Sequence, residues 1–299
     1  MLNTRHSVRG RIPSSIVRKA DVLLEALPYL QSFRGKTFVI KYGGSALGDP
    51  VKRQALLQDI AFLSISGIRP ILVHGGGTEI SRQMSSRGKK PRFVQGLRVT
   101  DATTLRFVTK ALTQVNRMLV DQLRHLGART QGLLGYEGGL IRAEKYTIHE
   151  EDLGFVGKVT DVNAGPIQRL LVLGVIPVIV PIGAGWEHQT YNINADEAAS
   201  AIAAALKAEK FVLVTDVPGV LAKQGNPKSL IPTLTIEKVE HLIHKGVIVG
   251  GMIPKTKACI RALQGGVRKT HMIDVAVPHG LLLEIFTDQG IGTEIIVKK

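Results

Sequence analysis

The feature that most constrains this chain is a recurring order of parts: a short, almost wholly apolar run, a turn, then a stretch with helical spacing. The runs lie at residues 37–41, 69–74, 175–180, 211–216 and 270–277. They lack the polar–apolar alternation of half-exposed strands, as expected where helices cover both faces of a parallel sheet. Asp49-Pro50 supplies an N-cap and a first-turn proline for a helix with core stripe Leu56, Ile60 and Leu63, ending at Gly67. A longer helix carries Leu105, Val108, Leu112, Val115, Leu119, Leu123 and Leu126 and stops at Gly127; an alanine-rich one spans 195–208. Strands alternating with helices predict an α/β fold with an open, mainly parallel sheet. Residues 132–165 break that rhythm, and the stretch 153–162, with Gly154 and Gly157, suits hairpins better than a βα unit.

A chain of 299 residues is long enough for one large domain or two lobes with a sizeable core. No run of about 18 apolar residues predicts a membrane span, so no membrane partner is expected. Cys259 is the single cysteine, which excludes an internal disulfide and a cysteine metal site and points to a reducing compartment. The net charge of +15 calls for polyanionic partners: nucleic acid, phosphorylated ligands, anionic surfaces or an acidic protein. Aromatics at 5% offer few platforms for stacking single strands. The first 20 residues hold Arg5, Arg9, Arg11, Arg18 and Lys19 without an acid, and read as a flexible basic leader or a transit-peptide remnant. From Ser15, the spacing of Ile16, Leu23, Leu24 and Leu27 predicts an amphipathic helix closed by Pro28, whose apolar face needs a neighbour such as a second subunit.

Three glycine-rich turns sit at or beside strand ends: Lys41-Tyr42-Gly43-Gly44-Ser45, His74-Gly75-Gly76-Gly77, and Gly250-Gly251 before Met252-Ile253-Pro254-Lys255. Glycine there lets backbone N–H groups approach a phosphate, and the following helix N-terminus adds partial positive charge. Neither a Walker A pattern nor GxGxxG after the first strand is present, which excludes a P-loop and a standard dinucleotide site. Lys41 ends a strand and Lys255 opens a helix; two ammonium groups about a transferring phosphoryl group stabilise its charge. In Asn192-Ile193-Asn194-Ala195-Asp196, the aspartate stands either to cap the alanine-rich helix or to orient the two lysines, and Asn192 to donate to an oxyanion. The histidines form no metal-ligand spacing, so no metal site is expected, and His74 reads as a structural residue at a strand end.

Together these motifs resemble the amino-acid kinase family, and within it the acetylglutamate kinases, over residues 36–299. Gly96-Leu97-Arg98-Val99-Thr100-Asp101 and the Asn192–Asp196 motif carry the narrower likeness. The resemblance implies a three-layer αβα sandwich in two lobes: residues 35–195 for the acyl amino acid and 196–299 for ATP and arginine. Residues 15–34 would be an oligomerisation helix and 1–14 the leader. It implies ATP-dependent phosphorylation of the γ-carboxylate of N-acetyl-L-glutamate, the second step of arginine biosynthesis, with feedback inhibition by L-arginine. The implied catalytic residues are Lys41, Asp196, Lys255, Gly44 and Gly76. Gly76, Gly77, Arg98, Asn192 and Asn194 would bind substrate. Lys41, Gly43, Gly44, Thr215, Asp216, Gly219, Val220, Leu221, Gly250, Gly251, Met252 and Lys255 would bind ATP, with magnesium held mainly by its phosphates. Tyr29, Lys223, His271, Glu284, Gly290 and Gly292 would form the arginine site. Similarity to the arginine-sensitive plant and algal type implies a homo-hexamer, a trimer of dimers, in the plastid (otherwise the cytoplasm), bound by the PII signalling protein. Lys158 departs from the acidic residue commoner at that position. Glutamate 5-kinase and aspartate kinase types compete within the fold. A basic nucleic-acid-binding protein competes from outside it and requires a basic groove interleaved with aromatics, whereas Phe93 alone interrupts the basic residues of 80–100.

Overall fold

The computed structural model describes residues 14–148, 151–288 and 290–298. Arg5, Arg9 and Arg11 of the basic leader lie outside them. The chain begins with α1 (Ser14–Phe33), β1 (Thr37–Tyr42), α2 (Pro50–Ile65), β2 (Arg69–His74) and α3 (Gly77–Ser85). A small hairpin, β3 (Phe93–Val94) and β4 (Leu97–Arg98), precedes the long α4 (Ala102–His125) and β5 (Thr130–Leu134). Next come β6 (Ile141–Ile148), β7 (Glu151–Val162), α5 (Gly165–Val172), β8 (Ile176–Val180), β9 (Ile182–Ala184) and β10 (Thr190–Ile193). The remainder is α6 (Ala195–Ala205), β11 (Lys210–Thr215), β12 (Thr233–Thr235), α7 (Ile236–His244), α8 (Met252–Gln264), β13 (Lys269–Asp274), α9 (Gly280–Phe286) and β14 (Thr293–Ile296).

Eight strands form one sheet in the order β12-β14-β13-β11-β1-β2-β8-β5. The six from β13 to β5 run parallel, and β14 pairs antiparallel with β13. Both faces are buried, which is why the strands read as unbroken apolar runs. Val39, Ile71, Val73, Phe211 and Leu213 face α5, α6, α7 and α8. Phe38, Ile40, Leu72, Val212 and Val214 face α2, α4 and α9, against which Tyr29 and Phe33 of α1 also pack. The sheet runs unbroken across residues 195/196, where the resemblance put a lobe boundary, with β1, β2, β5 and β8 before that point in the chain and β11, β12, β13 and β14 after it.

The region that broke the strand–helix rhythm is the β6–β7 hairpin. With β9 and β10 it closes a small four-stranded barrel. Lys158 lies exposed on β7 directly opposite Glu144 of β6, so it answers an acid across the hairpin. Two expectations are corrected. Pro28 does not close the first helix: α1 continues to Phe33, because Tyr29, Leu30 and Phe33 of its last turn gain burial that outweighs the lost proline N–H. Asp196 does not cap α6: Asn194 does, its side chain accepting from the N–H groups of Asp196 and Glu197 at 2.8 and 3.2 Å. The Asp196 carboxylate is thereby released for other partners.

Candidate active site

In open α/β sheets the ligand crevice lies beyond the carboxyl ends of the strands. Here β1 ends in Lys41-Tyr42, its neighbour β2 ends in His74, and the barrel strand β10 runs into Asn194. These ends surround a cavity of about 610 Å3 lined by Lys41, Gly44, Gly75, Gly76 and Gly77, with Arg98, Asn192, Asn194 and Asp196 opposite. At its base Asp196 bridges two cations, Oδ1 at 2.7 Å from Lys41 Nζ and Oδ2 at 3.0 Å from Lys255 Nζ. The Lys255 contact is a hydrogen bond; the Lys41 contact is one of charge, since Oδ1 accepts no aligned hydrogen bond. Burial alone would push the Asp196 carboxyl upward, but the two ammonium groups outweigh it and hold it at about 2. The lysines come from opposite halves of the sheet and meet on one carboxylate because β11 places α6 and α8 beside β1.

Two glycines here are dictated by space. A Cβ at Gly43 would stand 2.8 Å from Lys41 Nζ, and one at Gly76 would stand 2.6 Å from Leu112 Cδ2. Gly44 has φ +82°, which glycine adopts without strain. Across the cavity, β3 and β4 are joined by Gln95-Gly96, both with positive φ, a turn type that matches hairpin twist. This hairpin sets Phe93 opposite Arg98, whose guanidinium carbon lies 4.7 Å from the ring centroid. The same guanidinium donates to Gly77 O at 3.0 Å and Ser81 Oγ at 2.8 Å. Thr100 Oγ1 donates to Arg98 O at 2.6 Å and accepts from Asn192 Nδ2 at 3.1 Å, tying the two substrate-side residues together.

Beside this cavity lies a second, apolar cleft of about 350 Å3, lined by Gly219, Val220, Leu221 and Met252 together with Gln224, Val247, Ile248 and Val249. The last four lie outside the motifs singled out above, Gln224 in the loop from β11 to β12 and the valines and isoleucine in the loop from α7 to α8, and loops give no periodic signal. Gly251 is the N-cap of α8, whose first turn presents Met252 to the apolar cleft and Lys255 to Asp196. Gly250 precedes it with φ +56°. Asp216 faces Gly44, its Oδ2 lying 3.7 Å from where a Cβ there would be, and accepts from Thr215 Oγ1 at 3.2 Å.

Residues 36–274 match the amino acid kinase family model. Acetylglutamate kinase from Moorella thermoacetica is 48% identical over 94% of this chain and 98% of its own. That from Halothermothrix orenii is 46% identical over 95% and 99%. The chain belongs to the acetylglutamate kinases of the amino acid kinase family. A solved N-acetylglutamate synthase from Neisseria gonorrhoeae, complexed with coenzyme A and L-arginine, shares 26% identity at a TM-score of 0.80. It aligns with 93% of this chain, which spans 65% of the synthase, just under two thirds. The α/β sandwich and a phosphotransferase activity in arginine biosynthesis follow from this membership.

The chain buries a second polar cluster around β13, away from the cavity. Glu284 on α9 accepts from His271 Nδ1 at 2.7 Å and from the N–H groups of Ile291 and Gly292 at 2.7 and 3.1 Å. Burial opposes its ionisation, yet these donors prevail and lower its pKa. Lys210 Nζ donates to His271 Nε2 at 2.9 Å and lies 5.3 Å from the Phe33 ring centroid. Burial, helped by Lys269, pulls the Lys210 ammonium down to about 8. Gly290 leaves only enough room for Glu284, since a Cβ there would stand 3.1 Å from Oε2. Tyr29 on α1 donates to Asp288 and packs edge-on against Phe286 of α9. Of the residues expected for arginine, Lys223 alone stands outside this cluster. Its backbone hydrogen bonds close the 223–229 turn onto Ser229, beside the apolar cleft. Lys210, one residue before the apolar run expected at 211–216 and the first residue of β11, supplies the basic group of this cluster.

Proposed function

We propose that the chain phosphorylates the γ-carboxylate of N-acetyl-L-glutamate with the roles that follow. A carboxylate oxygen attacks the γ-phosphorus of ATP, the bond from that phosphorus to the bridging oxygen breaks, and ADP and N-acetyl-L-glutamyl 5-phosphate leave. No general base is needed, because a carboxylate with a pKa of about 4.3 is already ionised at neutral pH. Lys41 and Lys255 stabilise the charge on the transferring group; at about 4 Å and an effective dielectric of about 20, each is worth on the order of 4 kcal/mol. Asp196 keeps the two ammonium groups from driving each other apart. Gly44 and Gly76 donate backbone N–H groups to phosphoryl oxygens, and Gly77 lies beside the acyl substrate. Arg98 clamps its α-carboxylate, and Asn192, with Asn194 near it, binds its main chain. Residues 215–221 with Gly250, Gly251 and Met252 take the nucleotide, the apolar cleft receiving its base. ATP enters as its magnesium complex, with the metal on phosphate oxygens and water. Among the described residues no three metal-ligating side chains gather, and both Asp196 oxygens already face lysines.

The observation that carries this reading is the Lys41–Asp196–Lys255 bridge at the base of a cavity walled by two glycine turns. Trapping the acyl phosphate with hydroxylamine tests it across N-acetylglutamate, glutamate, aspartate and carbamate. Product from N-acetylglutamate is expected; product only from free glutamate or aspartate would overturn the assigned substrate roles of Arg98 and Asn192.

Feedback inhibition by L-arginine at the Lys210–His271–Glu284 cluster belongs to the same reading. Its supports are a buried carboxylate suited to a guanidinium or ammonium group and the arginine-complexed synthase of similar fold. Saturating arginine should lower velocity or substrate affinity, and Glu284→Gln should blunt that response. A hexamer assembled through α1 is supported by the exposure of Val22, Leu23, Leu24 and Leu27 on that helix. Plastid residence and PII binding rest on the resemblance alone, since the relatives named above are bacterial.

A further inference from the structure

His74 is fully buried at the end of β2 and takes no part in the chemistry above. Its hydrogen bonds admit one assignment. Nδ1 lies 2.9 Å from Gly75 O, which only accepts, so Nδ1 carries the proton. Asn116 Nδ2 lies 2.9 Å from Val178 O, also only an acceptor, and 3.1 Å from His74 Nε2. The amide therefore donates to both, and Nε2 offers its lone pair: the ring is neutral, with hydrogen on Nδ1. A second ring proton would set two donors face to face, and burial lowers the ring's pKa to about 4. Gly132 leaves the room that the Asn116 amide occupies, since a Cβ there would stand 2.2 Å from its Oδ1.

The peptide joining Gly75 to Gly76 is planar and trans, so its carbonyl and its N–H point in opposite directions. The carbonyl is drawn to the buried His74 ring, and Gly75 N–H is held by Tyr42 O at 2.7 Å. Gly76 N–H is thereby turned away from the core at a residue that lines the cavity. We propose that His74 is a positioning residue for phosphoryl transfer: through the Gly75 carbonyl it aims the Gly76 N–H at the γ-phosphoryl oxygens, with Asn116 holding the ring in the required tautomer. This rests on the assignment of Gly76 as a phosphoryl donor.

Three substitutions separate positioning from packing. His74→Phe fills the space without a donor, His74→Gln places its amide near the former Nε2, and His74→Asn places a donor near the former Nδ1. His74→Phe and His74→Gln should lose kcat by on the order of 100-fold, with KM for both substrates within about threefold of the parent. His74→Asn should recover most of that loss. Equal turnover in the Asn and Phe variants, or a loss confined to KM, overturns the proposal. Nitrogen-15 NMR of the unaltered enzyme gives a readout independent of variant folding. The Nδ1–H tautomer should persist over roughly pH 5 to 8, and an Nε2–H tautomer or a titration in that range overturns the proposal. Lys255→Met judges the catalytic reading separately: if it loses turnover while the His74 series shows no rescue, only the positioning role falls.

Discussion

Asp196 holds two ammonium groups on one buried carboxylate, so removing either cation changes the charge presented to a phosphoryl group more than it changes packing. Lys255 is the better test, because its side chain is the more exposed of the two lysines, 20% against 8%. Lys255→Met should lower kcat by roughly 100- to 1,000-fold, the scale of losing one preorganised donor to transition-state charge. Its thermal midpoint should stay near that of the parent; steady-state kinetics beside a melting curve checks both. Arg98 differs in kind, since its planar guanidinium is oriented by Gly77 O, Ser81 Oγ and the face of Phe93. Arg98→Lys keeps the charge and loses the fork, so KM for N-acetylglutamate should rise by about 10- to 100-fold, equivalent to roughly 1.5–3 kcal/mol of charge-assisted hydrogen bonding. The residue types were legible in the sequence; that Thr100 links Arg98 to Asn192 was not, because the two lie 94 positions apart and meet only where β10 enters the barrel.

At the scale of elements, α9 depends on a strained start. His279, its N-cap, has φ +56° and is held by a 2.6 Å contact from Nδ1 to Asp59 Oδ1 on α2. Asp59 is buried and its Oδ2 accepts no hydrogen bond. Burial raises its carboxyl to about 6 despite the opposing pull of His279. The folded state therefore binds this proton more tightly than the unfolded chain does, and stability from this group falls as pH rises from about 4 to 6. Asp59→Asn removes that slope. Relative to the variant, the parent should lose on the order of 3 kcal/mol across this window, read by urea unfolding at both ends. Helix positions were readable from capping and periodicity: Asp49 caps α2 and Gly67 follows it with φ +86°. The extent of α1 was not, because Pro28 is a local stop signal, and the packing of Tyr29 and Phe33 on α9 and β1 is a long-range gain that overrides it.

For the whole molecule, α1 leaves Val22, Leu23, Leu24 and Leu27 exposed, and the proposed hexamer would be assembled through them. Replacing Leu23 and Leu24 together by glutamate should reduce the mass measured by light scattering from hexamer to dimer. An unchanged mass would remove α1 from the assembly interface. The net charge of +15 also takes a definite shape at this scale. Lys41 and Arg98 line the cavity and Lys255 reaches Asp196 at its base, whereas Lys89, Arg92 and Lys145 pair with Asp101, Glu151 and Asp152 on the surface. Lys89 and Arg92, two of the six basic residues of the 80–100 segment, are thus answered by acids elsewhere on the surface.

By itself the sequence determined the alternation of strands and helices, the doubly covered parallel sheet, the glycine turns and the placing of Lys41 at a strand end and Lys255 at a helix start. Each is written in local terms, as periodicity, capping or turn chemistry within a few residues. Only the tertiary structure decided that Asn194 takes over capping and releases Asp196, that Lys210 rather than Lys223 joins His271 and Glu284, and that the His74 ring turns the Gly75–Gly76 peptide. Those outcomes depend on which strands lie side by side. Strand order is set by how the two faces of the sheet are packed, and no short window of sequence encodes it.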